Sequence, residues 1–298
     1  MTTFTKPAKT SEEHYDLLIE RGLVINDKAR FLKYLKHISY YRITGYMYPF
    51  QTDETHTFKK NVSFDLILDH YLFDKKLRLL LMDYIERIEV SLRANICNVM
   101  SLKYGPHWYL DEGLFNDKGL HAEFIKNVAS YCKDASETFI KSYNAKYDHP
   151  QSPPSWMIME TLTFGGLASL FENLKDNDEK KLIAKQYGVV VPLFQSWLKS
   201  INFIRNASAH HSRLWNRRIP LKPTIPSRKN NRFLTYIDSE TDKRLYGILS
   251  CMVFLIDYIS PQSRFKERLI SLFFEYPTVN IEHMGFHSEW KNEEIWKC

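Results

Sequence analysis

The chain has 298 residues, 44% of them hydrophobic and 26% charged, with a formal net charge of +6. That is ordinary globular usage for one large or two small domains, and it excludes wholesale disorder. Only 10 glycines occur and neither G-x-G-x-x-G nor G-x-x-x-x-G-K-[ST] is present, so dinucleotide and P-loop readings have no footing. Cys97, Cys132, Cys251 and Cys298 lie far apart without a C-x-x-C, which suggests neither a zinc knuckle nor a disulfide framework. The start, MTTFTKPAKTSEEH, lacks the apolar run of a signal peptide, and the longest apolar stretch, residues 247–256, is too short to span a bilayer. A soluble, reduced, cytoplasmic protein is predicted, with no cofactor, no metal and no membrane partner.

Few segments read as strands. Short helices are predicted over residues 12–20, opened by a Thr-Ser-x-Glu-type cap, and over residues 27–38. A long helix is predicted over residues 64–103, where Phe64, Ile67, Leu68, Tyr71, Leu81, Tyr84, Ile85, Ile88, Leu92, Ile96 and Val99 recur mostly at three- and four-residue intervals. Further helices are predicted over 118–147, 155–173, 178–187, 191–216, 244–259 and 263–274, while residues 221–239 read as a basic loop or short hairpin. The pattern gives one predominantly α-helical domain. It divides into an amino-terminal extension (1–60), a helical core (61–220) and a basic loop with carboxy-terminal helices (221–298).

Charge is unevenly spread. Residues 180–237 contain no Asp or Glu and carry twelve Lys and Arg, so the remainder of the chain is net acidic. Such a block favours a polyanionic partner, and Trp197, Phe203, Trp215 and Phe233 within it are candidate stacking faces for unpaired bases. A solvated basic face on an ordinary protein is the plainer alternative.

Residues 195–218, QSWLKSINFIRNASAHHSRLWNRR, decide between them. Taken as one helix, Trp197, Ile201, Ile204, Ser208, His211 and Trp215 share a stripe, and Asn202, Asn206, His210, Arg213 and Arg217 share the opposite one. This places His210 on a polar face and His211 on the packed side. A face of Asn, His and Arg without a carboxylate is unusual for mere solvation. Its chemistry suits phosphodiester cleavage, with histidine moving protons, guanidinium stabilising phosphoryl charge and an amide orienting either.

Within it, Arg205-Asn206-x-x-x-His210 is R-N-x-x-x-H, and the continuation AHHSRLWNR makes the segment recognisable. The chain resembles the Abi family of bacterial abortive-infection proteins (the AbiD/AbiF type), of the HEPN superfamily. HISYYRITGYMYPF at 37–50, FDLILDHYLFDKKLR at 64–78, IERIEVSLRANI at 85–96, YGPHWYL at 104–110 and PPSWMIMETLTFGGLASLF at 153–171 carry the likeness too. The resemblance implies a HEPN-like helical bundle with added amino-terminal helices. It also implies a metal-independent endoribonuclease that leaves a 2′,3′-cyclic phosphate and a 5′-hydroxyl, with Arg205, Asn206 and His210 as the catalytic set. A single motif per chain implies a homodimer, and relatives restrained by partners imply a toxin–antitoxin setting with control by a non-coding RNA. A non-catalytic RNA-binding regulatory module is the alternative, and a protein-binding helical scaffold a third.

Glu86, Glu89 and Arg93 share a helical face and are second-tier candidates for an acidic or polar group facing the motif; an ordinary surface ion pair accounts for them equally well. Arg213, Arg217, Arg218, Lys222, Arg228, Lys229 and Arg232 are the expected RNA contacts. His37, Tyr41 and Arg42 either line the same cleft as the motif or pack the amino-terminal helices, packing being the favoured expectation, and Trp156 and Phe164 are expected to lie in the core.

Overall fold

Helices, α and 3₁₀ together, account for 67% of the described residues, in keeping with the all-α expectation. The structure, a computed structural model, describes every residue except 1, 2, 6, 53, 54, 135, 136, 227–232, 235–242 and 298. Among the described residues no sheet forms, and extended pairing is limited to isolated bridges of Val24 with Ser63, Gln51 with Phe58 and Phe115 with Leu174. None of these lies in residues 221–239. Of that segment, 221–226, 233 and 234 take no strand geometry and the rest lies outside the described residues.

The chain forms two compact units, residues 1–79 with 269–281, and residues 80–268 with 282–298. This partition cuts across the segments drawn from sequence at 60 and 220.

In the first unit, α1 (Ser11–Glu20) opens with the expected capping box: Thr10 Oγ1 accepts from the Glu13 N–H at 3.2 Å, and Glu13 Oε2 accepts from the Thr10 N–H at 2.6 Å. Asp27 caps α2 (Lys28–Ile38), which buries Phe31 and Leu35. A third helix, α3 (Tyr40–Met47), has no counterpart in the sequence pattern. Ser39 breaks the chain at φ 67° and its Oγ accepts from the Arg42 N–H, so an aromatic, β-branched stretch of poor helix propensity is opened by a local cap. His37, Tyr41 and Arg42 are exposed rather than packed, Tyr41 at 88%. Periodicity could not see this, since α2 ends at Ile38 and the next helix turns a different face inward. Beneath them Tyr46 donates to Asp74 at 2.6 Å, and Arg78 forms an ion pair with the same fully buried carboxylate. Burial, then the Asp74 charge, hold the Tyr46 phenol well above its usual range, so it remains a neutral donor.

The expected long helix is α4 (Phe64–Tyr104), and its predicted apolar positions are buried, apart from half-buried Tyr71. Downstream the pattern is more broken than the sequence predicts. Residues 118–147 form α5 (Lys118–Asp134) and α6 (Thr138–Lys146), and residues 155–173 form α7 (Ser155–Thr161) and α8 (Phe164–Asn173). The second break has a clear cause: Thr163 is extended and its Oγ1 accepts from the Gly166 N–H at 3.2 Å, an N-cap inside the periodic run. Phe164 is buried as expected, but Trp156 is 51% exposed because α7 turns Ile158 and Met159 inward instead. Next come α9 (Asp178–Lys185), α10 (Val191–Ala209), α11 (Leu245–Ile259) and α12 (Phe265–Glu275). α11 is buried from Leu245 to Ile256, and α10 packs against α8, α9 and α11.

Lys180 leaves the expected basic surface altogether. Its side chain is 1% exposed, and Nζ donates to the carbonyls of Glu172 (3.0 Å) and Leu174 (2.6 Å), closing the carboxy-terminal end of α8. Neighbouring Lys181 is 64% exposed beside Asp178. Lys180→Met should therefore cost about 2 kcal/mol, because two carbonyls lose a charged donor, whereas Lys181→Met should stay within about 0.5 kcal/mol. Denaturant midpoints of the two variants check this, and equal small shifts would remove Lys180 from the core.

Candidate functional site

α10 does not continue to residue 216. It stops at Ala209, with His210 as its C-cap. His211 takes φ 57°, its N–H donates to Ser208 O at 3.0 Å, and the Ser212 N–H reaches back to Ala207 O at 2.8 Å. That is a Schellman closure, with His211 in the left-handed position. Glycine usually marks such a position; histidine is one of the few other types enriched there, which is why the sequence gives so faint a signal.

This end corrects the placement of His211. A helical wheel run through 209 turns it inward, but both histidines are exposed. The inward stripe holds as far as the helix does: Trp197, Ile201, Ile204 and Ser208 are buried. Beyond the closure, Leu214 and Trp215 return to the core along an irregular path.

The motif sits on the last turns of α10. Asn206 and His210, four residues apart, are both exposed, and the His210 N–H donates to the Asn206 carbonyl at 3.0 Å. Half-buried Arg205 donates through Nη1 to Asn206 Oδ1 at 3.3 Å, and its Nε is shielded from water with no hydrogen-bond partner among the described residues. No carboxylate pairs with it there. Two other enclosed arginines are neutralised: Arg78 by Asp74, and Arg93 by Glu89 and Glu160. A guanidinium partly withdrawn from water without a counter-ion is expensive, and an arriving anion removes that cost.

Asn202 belongs to the same polar side. Its Oδ1 also lacks a partner among the described residues, and it lies against α8 at Gly165, where an added Cβ would come within 3.1 Å of its amide. Sequence alone gave no reason to single out Gly165.

The second-tier candidates divide. Glu86 is exposed on α4. Arg93 clamps the end of α7: Nε donates to Met159 O at 2.8 Å, and Nη2 to Leu162 O at 3.0 Å and Glu89 Oε1 at 3.1 Å. Glu89 and Arg93 thus hold the α7–α8 joint.

The stacking faces are corrected. Trp197, Trp215 and Phe233 are buried, with Trp197 stacked on Phe233 at 5.2 Å and donating through Nε1 to Thr224 O at 2.8 Å. Phe203 is covered by the Arg217 guanidinium at 5.2 Å. Among the expected RNA contacts, Arg213 and Arg217 are half-buried and Arg218 and Lys222 exposed, while Arg228, Lys229 and Arg232 lie outside the described residues. Arg218 and Lys222 share the lining of a depression of about 340 Å³ with Lys243, which the Ile219 N–H bond to Lys243 O (2.8 Å) brings alongside. Lys243 lies beyond the acid-free block, so charge counting missed it. A cavity of about 520 Å³, lined by Phe115, His121, Phe124, Glu123 and Glu172 among others, has no Lys or Arg and does not suit phosphate. No group of three or more His, Cys, Asp or Glu placed to hold a metal ion is found among the described residues, and no helix there is long and apolar enough to cross a membrane.

Arg93→Met should lower stability by about 2 kcal/mol or more, since it strips charged donors from two carbonyls. Glu86→Ala and His210→Ala should move the unfolding midpoint little, both side chains being exposed. Thermal or denaturant unfolding separates the sets; a large loss in His210→Ala would place that side chain in the core.

Neither curated proteins nor solved structures give a match. The family described as Abi-like protein matches residues 33–216, well over half the chain and inclusive of Arg205, Asn206 and His210. The chain therefore belongs to the Abi-like protein family and, at that coarse level, to the abortive-infection type of phage defence.

Proposed function

We propose that this protein is an RNA-directed abortive-infection effector, a HEPN-type endoribonuclease that cleaves without a metal. The observation that carries the reading is Arg205, half-buried, bonded to Asn206 and unneutralised by any described carboxylate, five residues before exposed His210.

In this reading Arg205 takes the phosphoryl oxygens of an RNA linkage, and Asn206 fixes the guanidinium. His210 accepts the proton of a ribose 2′-hydroxyl. The 2′-oxygen bonds to the adjacent phosphorus as the bond to the 5′-oxygen breaks. The products are a 2′,3′-cyclic phosphate and, once protonated, a 5′-hydroxyl. Base and acid are two roles, and one chain supplies one such histidine, so the second proton comes from His210 of the partner subunit in a homodimer. Arg218, Lys222 and Lys243 extend the positive surface along the strand. A restraining partner, a non-coding RNA or an antitoxin, keeps the site idle until infection.

Purified protein incubated with total RNA and chelator tests this. Cyclic-phosphate ends are expected, with cleavage falling by roughly 10²–10⁴ in His210→Ala. Mixing His210→Ala with Arg205→Ala chains should restore part of the activity, because a composite site then holds one intact member of each type. Uncut RNA retained tightly and in a salt-sensitive way would instead establish a binding module.

A further inference from the structure

The acid-free block near the motif has a smaller counterpart in the first unit. Residues 28–52 contain no Asp or Glu and carry Lys28, Arg30, Lys33, Lys36 and Arg42. Arg30 is committed to Asp65, and Lys28 lies over the Tyr15 ring at 4.4 Å. Lys33, Lys36 and His37 are exposed on the side of α2 opposite Phe31 and Leu35, and no ion pair to them is found among the described residues. One residue, Ser39, separates this face from α3.

α3 adds aromatic surface. Tyr41 is 88% exposed and Tyr48, the first residue of the 3₁₀ turn that continues α3 (Tyr48–Phe50), is 63% exposed. Seven residues apart, they project from the same side, about 10 Å along the axis. Two bare phenol rings, the first of them five residues after Lys36 in the chain, are poorly explained by packing, since Ile43, Tyr46 and Met47 already supply the buried face of α3.

We propose that this α2–α3 face binds single-stranded RNA, with Tyr41 and Tyr48 as stacking platforms for unpaired bases and Lys33 and Lys36 as phosphate contacts. It rests on the reading that RNA is the partner, and adds a binding surface distinct from the motif. Positive charge answers the phosphate backbone; two exposed rings answer bases that are not already paired, so the face selects strand over duplex.

The test uses the full chain and a labelled oligouridylate of about 15 nucleotides, with a duplex of equal length as control. Tyr41→Ala should weaken oligouridylate binding by about tenfold while leaving duplex binding and thermal unfolding unchanged. Lys33→Gln with Lys36→Gln should reduce the salt slope by about 1.4, roughly 0.7 per phosphate contact. A chain with Arg213, Arg217 and Arg218 changed to Gln should keep the Tyr41-dependent part of the affinity. Unaltered oligouridylate binding in Tyr41→Ala and Tyr48→Ala, with binding lost only through residues 213–218, overturns this proposal and leaves the proposed function standing. Equal losses on strand and duplex also overturn it, reducing the face to diffuse charge. So does a loss confined to phosphatidylserine vesicles, which would make it a membrane-surface contact. Absence of RNA binding by the unaltered protein overturns both readings together.

Discussion

The closure of α10 is the constraint on which the rest of the candidate site depends. A helix buried along Trp197, Ile201, Ile204 and Ser208 would carry any continuation past Ala209 back along the same inward stripe. The left-handed His211 and the back-bond from Ser212 to Ala207 stop that continuation. Its last turn then keeps Asn206 and His210 in water while the chain beyond is free to send Leu214 and Trp215 inward. Nothing about the composition of AHHSRLW demands this. A single backbone angle does.

The basic residues follow a second constraint, the cost of enclosing charge. Where a cation is buried it has been given oxygen: Lys180 has two carbonyls and Asp176, Arg78 has Asp74, Arg93 has two carbonyls and two carboxylates. Those groups are part of the fold, whatever their contribution to net charge. Charge counted along the sequence cannot distinguish them from cations left to solvent, so the block of twelve overstated the surface available to a polyanion by at least Lys180. It also missed Lys243, which reaches the Arg218–Lys222 depression through a backbone bond rather than through proximity in sequence.

Much of the fold was legible because helical periodicity reports burial directly. The apolar positions of α4 and the bounds of α1, α2, α9, α11 and α12 follow from three- and four-residue spacing and from local caps. What escaped were interruptions. Thr163 splits one predicted helix by capping Gly166, Ser39 starts an unpredicted one, and His211 ends another, each through one residue whose hydrogen bond or φ overrides its neighbours. The same limit explains the aromatics. Trp197, Trp215 and Phe233 lie among basic residues in sequence and looked available for bases, yet tertiary packing claims them; Tyr41 and Trp156 looked like core and are exposed. The helical wheel put Asn206 and His210 of the R-N-x-x-x-H motif on the polar face, where both are exposed, while the exposure of His211 could be read only after the helix end was known.

One chain of contacts joins structural and candidate functional residues within the second unit. Arg93 holds the carbonyls of Met159 and Leu162 and so fixes the joint where α7 gives way to α8. That joint sets the start of α8, and with it Gly165, whose bare backbone is what allows Asn202 of α10 to approach. Asn202 lies one turn before Arg205 on the polar side of the helix, and both carry a buried polar atom without a described partner. The sequence grouped Arg93 with the motif as a possible neighbour of the chemistry. Its geometry assigns it a different kind of influence: it positions the surface on which Asn202, and then Arg205, must sit. A change at Arg93 is therefore felt first as a loosened joint, whereas a change at His210, exposed beyond the last turn, leaves every one of these contacts in place.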